Sequence, residues 1–331
     1  MSSQSLIYSE EPPQTRPPPR ELPRFIFDGT NAPEGYLPDQ GLVDAVNVSL
    51  ILRQPLLVTG EPGTGKSQLA HSVAFQLGLP PPIIFETKST AVARDLFYSF
   101  DNVGRFRSSQ IQSASDDPRL FINYNALGLA IILAANKDEV AEYLPPTFEH
   151  DGPRRSVVLI DEVDKAPRDF PNDILNELER FYFRVPELGS ATVSAQSDYR
   201  PIVIMTSNSE KSLPDAFLRR CVFYNIPFPD DVRLERIVIS RLGERLQPGS
   251  PLVRDAIAFI EVLRAEESAL RKRPGTAELL NWIVAMFQFG CAPETPIKDQ
   301  GGLVSRSLST LSKISEDQSL IIEIFKRWLY R

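Results

Sequence analysis

Cysteine and histidine are nearly missing from this chain: its 331 residues hold two of each, Cys221, Cys291, His71 and His150. Two cysteines far apart in sequence make neither a disulfide framework nor a zinc knuckle. Two histidines give a zinc or haem site little to build on. No apolar run approaches the roughly 18 residues of a membrane span, and the first residues lack the apolar centre of a secretory leader. The cytoplasm is therefore the expected compartment. An excess of positive charge is missing too. Lys and Arg number 36 against 43 Asp and Glu, a net charge of −7 with a pI near 5.2. That balance argues against nucleic acid as a general partner and leaves room only for a local basic groove.

Proline is abundant and unevenly spread. Pro12, Pro13, Pro17, Pro18, Pro19 and Pro23 sit among Ser, Gln and Glu. Such text buries too little apolar surface to offset its ordering entropy, so residues 1–24 are expected to be a flexible extension, a plain tail or a docking peptide. From there to residue 228 short apolar runs alternate with helical patterns. The expected strands are Leu56–Thr59, Ile83–Phe85, Val157–Ile160, Ile202–Met205 and Val222–Ile226. Continuous apolar strands separated by helices are what a parallel sheet buried on both faces requires. Pro227-Phe228-Pro229 breaks the pattern, and 229–331 reads as helices over roughly 231–246, 252–271, 276–288 and 316–329. Leu320, Ile321, Ile324, Phe325 and Leu329 line one face of the last, which reads as core packing.

The strand Leu56–Thr59 runs into Gly60-Glu61-Pro62-Gly63-Thr64-Gly65-Lys66-Ser67, a Walker A phosphate loop, and then into a helix with Leu69, Val73 and Leu77 on one face. The glycines let the backbone turn tightly and aim N–H groups at phosphate oxygens. The helix that follows, through Gln68, adds its positive N-terminal end. Lys66 can reach the outer phosphates, and Ser67 can offer its hydroxyl to Mg²⁺. Downstream, Val157–Ile160 ends on Asp161 and Glu162. At the C-terminal end of a strand Asp161 would lie beside the loop and help hold Mg²⁺, while Glu162 would polarise an attacking water. The expected fold is α/β, a P-loop NTPase core with a parallel sheet flanked by helices, followed by a smaller all-α lid. The expected cofactors are ATP and Mg²⁺.

Four ordered segments, GEPGTGKS, VVLIDEVDKAPRDFPNDILNELE (157–179), IVIMTSN (202–208) and LPDAFLRRC (213–221), resemble the MoxR branch of the AAA+ ATPases over about residues 25–290. The resemblance implies that Asn208 is sensor 1, placing the hydrolytic water between Glu162 and the γ-phosphate. It implies that Arg220 is an arginine finger reaching a neighbouring subunit, with Arg219 sharing that work. A solvated Arg-Arg pair is the plain alternative. Arg273, just before a lid helix, is offset from the family's sensor 2 pattern and is the candidate for it. Leu37 is either a wall of the adenine pocket or a buried residue with no ligand. Two insertions are implied: one in the second helix region, from Thr87 to Gly104 or beyond, and a hairpin of Phe181–Val185 with Thr192–Ala195. A finger supplied in trans implies a ring, a hexamer in this family. MoxR-like proteins remodel or activate partner proteins, many of which carry a von Willebrand factor A domain. Two rivals belong to other classes: a nucleic-acid translocase, disfavoured by the acidic-to-neutral hairpin tip Pro186–Gly189, and a slow nucleotide switch, disfavoured because Glu162 and the finger are both kept.

Overall fold

A computed structural model describes residues 33–110, 117–189, 191–208, 213–243 and 246–330. The proline-rich 1–24 extension and Ser190 of the hairpin tip lie outside the described residues. Nine strands occur among them: β1 (Leu56–Gly60), β2 (Ile83–Glu86), β3 (Tyr98–Phe100), β4 (Ile122–Tyr124), β5 (Val157–Asp161), β6 (Tyr182–Val185), β7 (Ala191–Ser194), β8 (Ile202–Thr206) and β9 (Val222–Ile226). Five form one sheet in the order β2-β5-β8-β1-β9, and every neighbouring pair is parallel.

The apolar runs explain the burial. Leu56, Leu57 and Val58 of β1 and Val157 to Ile160 of β5 are almost wholly buried. Side chains on alternate faces feed two clusters: Leu57, Val158 and Ile160 join one, Leu56, Val58, Val157 and Leu159 the other. Each such residue contributes about 1.5–3 kcal/mol by leaving water. Both faces are covered, which is why these strands carry no polar alternation.

Two small antiparallel pairs lie outside the parallel sheet. β3 pairs with β4, and the helix Asn102–Ser109 lies between them in sequence. β6 pairs with β7. β6 begins one residue later than the apolar text suggests, because Phe181 closes the helix Leu175–Arg180 in a left-handed conformation (φ 51°). Phe181 and Phe183 are buried, with Phe183 stacked on Phe97 at 5.6 Å between ring centroids.

The chain divides into two compact units. One comprises Tyr36–Glu61 and Gly65–Pro227; the other takes Phe228 onward together with Pro62–Thr64 and the described residues before Tyr36. In the second, Asp231–Leu242, Pro251–Arg264, Thr276–Gln288 and Ser315–Leu329 are helices around a core that includes Phe259, Trp282 and Phe325. The helix expected over 252–271 stops at Arg264, since Ala265 is extended (ψ 146°) and its N–H closes the last turn onto Glu261. Residues 244 and 245 lie outside the described residues. A helical stretch over Gly301–Val304 and Ser305–Leu311 escaped the sequence reading, because paired glycines and repeated serines are weak helix formers. Ile321, Ile324 and Phe325 of the last helix are buried in this core, and Leu320 and Leu329 pack against it.

Candidate functional site

β1 leaves the sheet at Gly60, turns, and enters the helix Lys66–Gln76. Gly63 (φ 81°) and Gly65 (φ 85°) both hold left-handed backbone, where any side chain would be strained. At Gly65 an added Cβ would also stand 3.2 Å from the Tyr36 ring. Tyr36 therefore lies beside the loop. Leu37 next to it is 37% exposed and so is not a buried core residue. Glu61, Pro62 and Gly63 are exposed, whereas Thr64, Gly65, Ser67 and Gln68 are half-buried.

Lys66 is buried, and its Nζ donates to the carbonyls of Gly60 at 2.8 Å and Glu61 at 3.0 Å. Burial pushes its pKa down, opposed by the carboxylates of Asp161, Asp164, Glu162 and Glu61. Glu61 directly follows β1, and the other three come from the end of β5 and the residues just after it, with only β8 between β5 and β1 in the sheet. Ser67 Oγ donates to Asp161 Oδ1 at 2.7 Å, so the loop hydroxyl and the acidic strand end are in direct contact.

Thr206, the last residue of β8, organises the other side. It is fully buried, donates to Asp161 Oδ1 at 2.5 Å and accepts from the Glu162 N–H at 2.8 Å. One hydroxyl thus fixes the Asp161 carboxylate and the Glu162 backbone together. Glu162 needs such an anchor, because its φ of 53° and ψ of 52° are left-handed at a non-glycine residue. Strain of this kind costs about 1–3 kcal/mol and persists only where the surroundings hold it. The sequence signal for Thr206 is its place one strand length after Ile202, in register beside β5, and the register comes only from the fold.

The Glu162 carboxylate is bonded at both oxygens. Asn208 Nδ2 donates to Oε1 at 3.0 Å, and Lys165 Nζ pairs with Oε2. Lys165, with Asn208 second among the donors, holds its pKa below the ordinary carboxylate value, partly opposed by burial. Asn208 is held in turn by its own N–H donating to Asp164 Oδ1 at 3.2 Å. Lys66, Ser67, Asp161, Glu162 and Asn208, five residues picked out by sequence, therefore meet at the C-terminal ends of β1, β5 and β8.

Arg219 and Arg220 take no part in this hydrogen-bond network. Arg219 and Arg220 are exposed just after the short helix Asp215–Leu218. Arg220 Nε pairs with Glu179 at 2.5 Å and Nη1 donates to the Ala216 carbonyl at 3.1 Å. With both partners about half exposed, that ion pair is weak and readily exchanged. Arg273 belongs to the second unit, exposed ahead of the helix Thr276–Gln288.

Among the described residues, no cluster of three or more His, Cys, Asp or Glu side chains can hold a metal by itself. Ser67 Oγ and Asp161 Oδ1 do offer two hard oxygen ligands side by side. That fits Mg²⁺, which takes one or two protein ligands and fills its octahedron with water and phosphate oxygens. No helix among the described residues is long and apolar enough to cross a membrane.

No curated protein matches the chain. Two structures of point mutants of RuvB from Thermotoga maritima are similar to it at 11% and 12% identity, with TM-scores of 0.45 and 0.44. They cover 86% and 82% of this chain, and 69% and 67% of their own. The sequence profile of the ATPase family associated with various cellular activities (AAA) matches residues 56–228, from the first residue of β1 to just beyond β9 and just over half of the chain. That span contains the glycine loop, the strand-end carboxylates, Thr206 and Asn208, and through it the chain belongs to the AAA family of ATPases, which bind ATP with Mg²⁺, hydrolyse it and typically oligomerise.

Proposed function

We propose that the chain is a MoxR-like ATPase that hydrolyses ATP within an oligomeric ring, a hexamer by resemblance, to remodel or activate partner proteins. The observation that carries the hydrolytic part is the continuous bond path Ser67–Asp161–Thr206–Glu162–Asn208. Bound Mg²⁺ would supply charge neutralisation for the phosphate oxygens, with Ser67 and Asp161 as its protein ligands. Lys66, freed from the loop carbonyls, would place its ammonium on those oxygens. Gly60, Glu61, Pro62, Gly63, Thr64 and Gly65 would wrap them with backbone N–H groups, and Gln68 would lie in the helix turn beyond. Glu162 would take the proton of the attacking water, oriented by Asn208.

Arg220, with Arg219 beside it, would leave Glu179 to reach the phosphate site of a neighbouring copy, a contribution of ~10³–10⁵ in rate where such fingers act. Arg273 would serve as the lid's sensor, and Leu37 would border the base. The protein-directed reading, with a von Willebrand factor A domain protein as the partner class, rests on the four ordered motifs and on the chain's net charge of −7.

The test is steady-state phosphate release by the wild type and by Glu162→Gln, each with and without duplex DNA. The variant should bind ATP as the wild type does and lose on the order of 10²–10⁴ in turnover. Stimulation of turnover by DNA would overturn the protein-remodelling assignment.

A further inference from the structure

The opposite end of the same sheet carries a second concentration of charge. Arg53 lies just ahead of β1, Arg155 just ahead of β5 and Arg200 just ahead of β8, three strands adjacent in the order β5-β8-β1. All three arginines line one cavity of about 240 Å³ with no Asp or Glu in its wall.

The arginines are held by neutral groups, not by carboxylates. Arg53 Nη1 donates to the carbonyl and hydroxyl of Ser197 at 3.1 and 3.2 Å, and Arg155 Nη2 donates to the Asp198 carbonyl at 2.5 Å. Arg200 sits over the Phe181 ring, 5.8 Å from its centroid. Among the described residues none of the three forms an ion pair. Arg155 Nε is buried and has no acceptor. Leaving a charged donor unsatisfied in this way is costly.

The backbone adds an independent sign. Four non-glycine residues among those described have positive φ: Arg53, Glu162, Phe181 and Ala269. Two of the four, Arg53 and Phe181, line this cavity, each closing a helix where Gly or Asn would fit with less strain. Strained bulky residues of this kind gather at functional sites. The remainder of the wall, including Leu50, Leu77 and Phe181, is apolar.

We infer that this cavity is an anion site for a small phosphomonoester, its dianionic phosphoryl group held by Arg53, Arg155 and Arg200 and its organic part against the apolar wall. Guanidinium forks match phosphate oxygens in geometry, and a dianion answers three cations better than a carboxylate does. The inference does not depend on the nucleotide reading above.

Calorimetric titration of the full chain at fixed ionic strength with phenyl phosphate, inorganic phosphate and benzoate tests it. The phosphate loop is a competing sink, so each titration is repeated with Lys66→Ala. Phenyl phosphate should bind most tightly and inorganic phosphate next. Both should survive Lys66→Ala and weaken at least about tenfold in Arg155→Gln and Arg200→Gln. Arg53→Gln, at an exposed position, should weaken binding in the same direction and keeps the test open should Arg155→Gln not fold. Binding abolished by Lys66→Ala and untouched by the arginine variants would overturn the assignment. So would equal binding of benzoate, or no binding of either phosphate.

Discussion

The two ends of the parallel sheet use charge in opposite ways. At the C-terminal ends of β1, β5 and β8, side chain bonds to side chain: Ser67 to Asp161, Asp161 to Thr206, Glu162 to Asn208 and Lys165. At the N-terminal ends of the same strands, Arg53 and Arg155 bond to the backbone carbonyls of Ser197 and Asp198, and no carboxylate answers them. A closed network fixes geometry at the moment chemistry needs it. An unanswered cluster stays chemically unsaturated. The difference teaches that the strands set positions at both rims, while the side chains at their ends decide whether a rim is finished or open.

The comparison breaks most visibly at Thr206. Thr206→Val removes one acceptor and one donor from a fully buried hydroxyl, leaving the Glu162 N–H unpaired and its strained backbone unanchored. Urea unfolding should show a loss of about 1–3 kcal/mol, with Thr206→Ser keeping most of the stability. Turnover should fall with the stability, since Glu162 loses its orientation.

A smaller effect is expected at Lys165, the largest cause of the lowered pKa of Glu162. Lys165→Ala removes an ammonium that favours the ionised carboxylate, so the pKa of Glu162 rises toward its ordinary value. Glu162 must be ionised to act as the proposed base, and the acidic limb of the pH–rate profile should therefore move to higher pH. Because the pair is partly exposed, the move should be less than about one pH unit. An unmoved limb would mean that Lys165 does not govern the proposed base.

The smallest effect belongs to the open rim. Arg200→Gln breaks no ion pair and should leave the unfolding midpoint within about 0.5 kcal/mol of the wild type. A large loss there would show that the arginines are a finished structural element, erasing the contrast between the rims.

Much of this was legible in the text. The apolar runs of β1, β5 and β8, the glycine loop and Asp161-Glu162 announce themselves because each rests on a local requirement: burial on both faces, positive φ, or a carboxylate at a strand end. The interval over Gly301–Leu311 did not, because its helical turns come from packing against the helical core and not from residue preference. Thr206 and the arginine trio were equally hidden. Each is an ordinary residue at its place in the sequence, with nothing periodic or spaced to mark it.

The sequence by itself determined the sheet's strands, the phosphate loop and the kinds of group that serve it. Local chemistry limits those positions to a few residue types. Only the tertiary structure decided that β8 lies between β1 and β5. That order follows from how the strands pack into one sheet, and it brings the Thr206 hydroxyl onto Asp161 and Glu162 at one end and gathers Arg53, Arg155 and Arg200 at the other.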